Sequence, residues 1–170
     1  FLITFGAMIA YLPLLMSYKF VSSPFRIGLV MSCGSLSSAI ISANIGRLGR
    51  FVPANYMVAT AFGLYTIAFG WIIGTHTAWH LLVISGIFGF GQGLNIPNVQ
   101  TILVGSAPEE VRGLFMAFNS MVILTGITLG PILASLIFNF WGITQIYLFA
   151  GVLTLVFMVW IIFYSKDMNI

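Results

Sequence analysis

The sequence predicts an all-α membrane protein of six transmembrane helices, and three observations carry that prediction. Of 170 residues, 60% are hydrophobic and only 5% charged, too few charges to coat a water-soluble domain of this size. The ionisable residues punctuate long uncharged runs at helix-length intervals, and those runs show no sustained period-2 alternation of the kind a barrel requires. A bilayer core of roughly 30 Å takes about 20 apolar residues per helix, so six spans use about 120 positions and leave about 50 for loops and ends. No soluble domain fits in the remainder. The six Lys and Arg are scattered rather than gathered into a patch, which excludes a nucleic-acid partner. Cys33 is alone, so neither an internal disulfide framework nor a multi-cysteine metal site is available.

Span one runs from Phe1 to Met16, contains Pro13, and stops ahead of Lys19. Span two, Ile27 to Ile45, lies between Arg26 and Arg47, after the turn residues Ser22, Ser23 and Pro24. Gly46, Gly49 and Pro53 separate it from span three, Val52 to Ile73. The break over Gly74 to His80 carries no formal charge and rests on composition and length; span four follows as Leu81 to Val104. Gly105 to Pro108, with Glu109, Glu110 and Arg112, leads into span five, Leu114 to Phe138. Asn139 to Gly142 precede span six, Ile143 to Tyr164, after which Lys166 and Asp167 end the apolar run. Phe1 opens inside an apolar stretch with neither an initiator Met nor a basic region ahead of it, so the chain reads as a fragment of a longer protein, cut within its first helix.

Alternate loops then fall on opposite sides. Arg47, Arg50, Arg112 and Lys166 share one face and Lys19 and Arg26 the other, so the positive-inside rule puts the first set, and the C-terminus, in the cytoplasm. Trp71, Trp79 and Trp141 would lie near the outer interface, Trp160 and Tyr164 near the inner one.

The spans differ in what their faces offer. Span six is apolar nearly all round, with Thr154 its only mid-span polar side chain, and span three is similar, as expected of helices with large lipid-facing areas. In span two, Gly34, Ser38 and Ser42 recur every four residues, beside Ser32, Ser35, Ser37 and Asn44. Small residues at that spacing let backbones approach closely, and predict a helix buried among its neighbours. Span four carries a second such stripe, Ser85, Gly89 and Gly93, and adds four amides, Gln92, Asn95, Asn98 and Gln100. Pro97 removes a backbone donor there, which lipid tolerates only if a neighbour or water satisfies the freed carbonyl. Span five contributes Asn119, Thr125, Thr128 and a flexible point at Gly130 and Pro131. Membrane amides and hydroxyls often only join helices, but four amides on one helix exceed what packing usually requires. The candidates for a substrate cavity are therefore Gln92, Asn95, Asn98 and Asn119, with Ser35 of span two and Tyr11 of span one, and the candidates for helix flexing are Pro13, Pro97, Gly130 and Pro131.

Taken together, six spans, a basic Gly-containing loop after the second, a Gly-rich fourth helix and a Gly-Pro within the fifth resemble the C-terminal half of a major facilitator superfamily transporter, helices seven to twelve of twelve. The resemblance covers essentially the whole chain. The family's loop signature Gly-x-x-x-Asp-Arg-x-Gly-Arg-Arg is met by Arg47, Gly49 and Arg50, with Ser42 in place of the first Gly, Gly46 in place of Asp and Phe51 in place of the last basic residue. Pro108 to Gly113 look like the loop between helices ten and eleven, and Ser106 with Glu109 three residues on has the form of a capping box. Glu109 or Glu110 could instead meet Arg47 or Arg50 at a cytoplasmic gate, to which Gly49 and Arg112 would also belong. Gly130 to Ser135 resemble an antiporter element of the Gly-Pro-x-x-Gly-Gly type, with Ala134 and Ser135 for the last two glycines.

The resemblance implies a half built as a 3+3 inverted repeat, with spans one, two, four and five toward a central cavity or the other half, and three and six outside. It implies a small-molecule substrate, a lipid bilayer, the missing N-terminal six-helix half of the same polypeptide as partner, no cofactor, and alternating-access efflux by antiport in a bacterial cytoplasmic membrane. No acidic residue lies within a span, so a coupling carboxylate would have to come from the other half, and intramembrane acid or metal catalysis has no residues to use. His76 and His80 lack an intervening Glu and sit at a span end, which argues against a metal site. The competing class is a self-contained six-helix channel or small carrier acting as a homodimer.

Overall fold

The computed structural model describes residues 2–167; the side chains of Tyr164 and Lys166, used above for the inner face, lie outside the described set. Six helices appear in the predicted order: α1 (Leu2–Phe20), α2 (Pro24–Leu48), α3 (Ala54–Ile73), α4 (His80–Ser106), α5 (Arg112–Trp141) and α6 (Ile143–Asp167), with a single 3-10 turn at Glu109–Val111. The helices overrun the apolar runs because their ends take up the flanking basic residues. Lys19 closes α1 and Arg47 closes α2, where a cation suits the negative end of a helix. Pro24 opens α2, a position whose N–H would be unpaired anyway. Gly142, at φ 89, makes the sharp step from α5 to α6, in a region of backbone space that residues with a Cβ rarely enter.

One predicted cap is not formed. Ser106 lies in the last turn of α4 with its hydroxyl donating to the Ile102 carbonyl at 2.9 Å, and neither the 3-10 turn nor α5 has a side-chain cap. The chain leaves α4 only at Ala107, one residue later than a capping box would need.

The helices pair unequally. α2 lies along α4, α3 lies along both α4 and α6, and α1 lies along α5, while α5 touches α4 and α6 only lightly. Tyr65, Phe69, Ala61 and Ala68 of α3, Phe88 and Ile84 of α4, Leu12 and Met16 of α1, and Tyr147 of α6 share one apolar core. Within this six-helix unit half of the apolar window of α3 is buried, against about a fifth for α6. A helix apolar all round is suited to a protein core as well as to lipid, and the pairing with α4 and α6 selects the core. Within this unit α2 packs mainly on α4. Val30 and Gly34 are its only fully buried positions among the described residues, since a stripe of small residues needs one partner and not several.

That partner is α4, and the two predicted stripes meet each other. A Cβ built on Gly34 would stand 2.6 Å from the Ser85 hydroxyl, one on Gly89 would collide with the Gly34 carbonyl, and one on Gly93 would stand 2.6 Å from the Ser38 carbonyl. Three side chains bridge the close approach. Ser85 Oγ donates to the Val30 carbonyl at 2.7 Å, Cys33 Sγ to the Leu82 carbonyl at 3.5 Å, and Ser42 Oγ to the Gly93 carbonyl at 3.4 Å. The last contact answers the question Pro97 poses. Gly93 is four residues ahead of Pro97, so its carbonyl is the one deprived of a helical donor, and Ser42 supplies the replacement. α1 and α5 repeat the arrangement: the Ile127 carbonyl, freed by Pro131, lies 2.7 Å from where a Cβ on Gly6 would stand, and Gly126, Gly130 and Ala134 are the buried positions of α5. α3 and α6 are joined at mid-height by the hydroxyls of Thr66 and Thr154, 3.0 Å apart. All three helices with an internal proline continue through it.

Among the described residues four helices, α2, α3, α5 (with the turn that precedes it) and α6, are long and apolar enough to cross a membrane. α4 falls outside this group because its amides and glycines dilute its apolar run. At one end of the bundle Lys19 Nζ donates to the Thr75 carbonyl at 3.0 Å, and Arg26 borders a small crevice with Ala78 and Trp79, so the first and third connections meet there. The connection holding Arg47 and Arg50 and the turn at Glu109–Val111 lie at the opposite ends of the same helices.

Candidate functional site

Because α4 and α5 diverge, a cleft opens between them. It encloses about 800 Å³ and is backed by Val58 and Phe62 of α3 and Ile161 of α6. α4 lines it with Asn95, Ile96, Val99 and Gln100, spaced as one face of a helix, and α5 with Phe118, Asn119, Val122, Thr125, Gly126 and Leu129 at the same periodicity. The volume is that of a small-molecule site, and the wall is mostly apolar with a few polar groups. Among the described residues no ionisable side chain lines it.

Asn95 is the most enclosed of the polar groups, 4% exposed, on the wall nearest the core. Asn95 Oδ1 is itself buried and has no hydrogen-bond partner among the described residues. A buried carbonyl oxygen without a donor is costly, and native structures retain few of them. Thr125 spends its hydroxyl on the Met121 carbonyl at 2.8 Å, while Asn119 and Gln100 stand half-buried on the cleft wall.

The other predicted cavity residues go elsewhere. Asn98 faces α3, its amide donating to the Leu94 carbonyl at 2.7 Å and approaching Met57 Sδ at 3.6 Å, because three residues from Asn95 the helix has turned toward Met57. Gln92 is half-buried one turn toward the other end of α4, beyond the cleft wall. Ser35 is exposed on α2 and bonds back to the Met31 carbonyl at 3.2 Å. Tyr11 packs between α1 and α5, its ring tilted against Phe138 with centroids 6.1 Å apart. At the gate, Glu109 pairs with Arg112 at 3.4 Å, the one ion pair among the described residues, and neither Glu meets Arg47 or Arg50. An exposed pair three residues apart forms locally before any distant cation can compete. Gly49 ends α2, its N–H donating to the Ile45 carbonyl at 2.8 Å. Val58, Phe62 and Ile161 were missed because α3 and α6 read as outer helices; the i, i+4, i+7 series Phe118, Val122, Thr125 was the available signal for the α5 wall.

Among the described residues no three His, Cys, Asp or Glu gather as metal ligands. What remains is a helix bundle with a solute-sized cleft between α4 and α5. Comparison with known proteins makes this specific. The Major Facilitator Superfamily profile matches residues 1–168, and the chain belongs to that family of membrane transporters. It is 26% identical over 153 residues to a multi-drug resistance efflux pump PmrA homolog of Lactococcus lactis, covering 88% of this chain and 38% of the relative. It is similar also to the multidrug resistance protein MdtG of Citrobacter koseri, 24% identical over 123 residues, covering 72% of this chain and 30% of the relative. MdtG of Enterobacter lignolyticus is 21% identical over 131 residues, covering 77% and 31%. The chain thus spans about a third of the length of the curated relatives it matches.

Proposed function

We propose that the chain is the C-terminal six-helix half of a drug or metabolite effluxer, that all six helices cross a bacterial cytoplasmic membrane with the C-terminus inside, and that the cleft between α4 and α5 is its part of the substrate wall. The single observation that carries the reading is the cleft itself, roomy, apolar, charge-free and set with amides, on a chain whose relatives are named for multidrug resistance. A wall of that kind holds amphipathic solutes by burial of area and accepts many shapes.

The helix pairing supports the 3+3 repeat. Exchanging the first three helices for the last three turns the α2 with α4 contact into α5 with α1 and leaves α3 with α6 unchanged, and these are three of the four main pairings. Both exchanged pairs also use a small-residue stripe against a proline-freed carbonyl. The extended pairing of α3 with α4 has only a slight counterpart in α6 with α1. Rocking of this half against its companion would turn the cleft to either side of the membrane in turn, with a coupling carboxylate supplied by the companion.

The test is efflux by the full-length protein in everted vesicles. Val122→Trp, at a half-exposed cleft position, fills the space without disturbing the core. Efflux of a lipophilic dye is expected to fall by about tenfold or more at normal expression; an unchanged rate removes the cleft from the transport path.

A further inference from the structure

Among the described residues Val21, in the connection from α1 to α2, is the non-glycine residue with positive φ, at 46. A β-branched residue in that left-handed region is a steric outlier, and the Val21 side chain is 87% exposed, so packing does not offset the strain. We infer that this connection is a latch: Lys19 fastens the end of α1 to the exit of α3 and holds Val21 strained, and loss of that contact frees the end of α1 to move. The latch depends neither on the cleft being the substrate wall nor on which end of the bundle faces outward, and it adds a conformational control to the proposed carrier.

The strained form is held by contacts around one side chain. Lys19 Nζ donates to the Thr75 carbonyl at 3.0 Å, 56 residues further along the chain. That carbonyl lies just past Gly74, the C-cap of α3, where helix-end carbonyls lack helical donors and a cation suits the negative end. Thr75 is a fixed anchor, 1% exposed, with its hydroxyl donating to the Trp71 carbonyl at 2.7 Å and its N–H to the Ile72 carbonyl at 3.2 Å. The Lys19 ammonium also stands over the Phe20 ring, 5.6 Å from its centroid, and Phe20 packs half-buried against the core. The Ser22 N–H closes the turn on the Met16 carbonyl at 3.1 Å. Strained residues persist where their surroundings over-determine them, and at Val21 those surroundings are this tie and this turn.

The tie is suited to opening. Lys19 is exposed, so water can take the place of the Thr75 carbonyl as its acceptor. Opening also lets Val21 return to an ordinary backbone conformation, which offsets part of the lost bond, so the latched and released forms lie close in free energy, as a two-state element requires. Movement of α1 is passed on, because α1 lies along α5, with the Ile127 carbonyl 2.7 Å from a Cβ built on Gly6, and α5 forms one wall of the cleft.

The experiment reads opening in the full-length protein in nanodiscs, in a cysteine-free background that includes Cys33→Ala, with Met16→Cys as the reporter. Met16 is 0% exposed, lies about one turn before Lys19, and borders the small crevice shared with Arg26, Ala78 and Trp79, so a maleimide reaches a thiol there when the end of α1 lifts. Lys19→Met keeps the length of the side chain and removes the donor, and should speed modification about fivefold or more, with Lys19→Arg speeding it less. Val21→Asn, a residue that tolerates the left-handed region, should slow modification about threefold or more and, combined with Lys19→Met, return the rate toward that of the unsubstituted side chains. Hydrogen exchange in the protein retaining Met16 gives an independent reading: Lys19→Met should speed exchange of the Ser22 and Thr75 amides and leave that of Gly49, at the far end of α2, unchanged. Modification unaffected by Lys19→Met, or unaffected or quickened by Val21→Asn, overturns the latch, as does an equal rise in exchange at Gly49, which marks general loss of stability. Efflux by the Val122→Trp protein bears on the cleft alone, so either reading can fall without the other.

Discussion

Placing a methyl group on Gly89 should drive α2 and α4 apart, and the structure gives the scale of the damage. A Cβ there overlaps the Gly34 carbonyl, which is backbone and cannot rotate away. At the neighbouring positions the clearances are also below the 3.4 Å of ordinary contact, 2.6 Å at Gly34 and at Gly93. The helices must therefore separate by about 1 Å or more, a gap that forfeits a quarter to a half of the dispersion energy of each contact across it. Ser85 to Val30, at 2.7 Å, lengthens past good geometry, and Ser42 to Gly93, already 3.4 Å, breaks. Interhelical bonds in membranes are worth about 0.6 to 2 kcal/mol each. With the packing loss, Gly89→Ala should cost roughly 2 to 4 kcal/mol, against a gain of about 1 kcal/mol from replacing Gly in a helix. Gly28 and Gly70 are internal controls, since each lies in a helix with nothing within 4 Å of a built Cβ. Thermal unfolding of the full-length protein in detergent, followed by size-exclusion fluorescence, should show Gly89→Ala strongly lowered and Gly28→Ala and Gly70→Ala unchanged or slightly raised. Equal midpoints for all three would refute the close-approach argument.

Three other outcomes follow from the same contacts. Ser42→Ala leaves the Gly93 carbonyl without a donor and should lower stability by about 1 kcal/mol, with Ser42→Thr restoring most of it, as read from the same unfolding midpoints. Thr66→Val and Thr154→Val each remove one side of the 3.0 Å contact, and a double-mutant cycle should return a coupling of about 0.6 kcal/mol and no more than about 1.7 kcal/mol. Glu109→Gln removes an exposed pair with Arg112 and should change the unfolding midpoint negligibly, less still in high salt, because such pairs contribute about 0 to 1 kcal/mol.

Helix number and order were legible because charge and turn residues in a membrane protein are costly inside spans and so mark their ends. The meeting of Gly34, Ser38 and Ser42 with Ser85, Gly89 and Gly93 was legible as two stripes, though not as partners, since periodicity reports a face and not what lies opposite. The same spacing in Gly126, Gly130 and Ala134 went unread because Pro131 drew attention to flexing. Burial was the harder inference. Lipid and protein core favour the same apolar side chains, so the composition of α3 did not show that it packs along both α4 and α6. The four amides of α4 could not be apportioned from composition either: Asn95 faces the cleft and Asn98 faces Met57, a difference decided by rotation around one helix and by which neighbour stands there.

The most direct test of the central claim, that the cleft between α4 and α5 faces the transported solute, is protection of a thiol placed on its wall. In the full-length protein carrying Cys33→Ala, Thr125→Cys lies in the cleft and Val156→Cys, from a residue 58% exposed on α6, lies outside it. A saturating lipophilic dye should slow maleimide modification of the Thr125→Cys protein by about tenfold and leave the Val156→Cys protein unaffected. Modification at equal rates with and without dye at both positions would contradict the account.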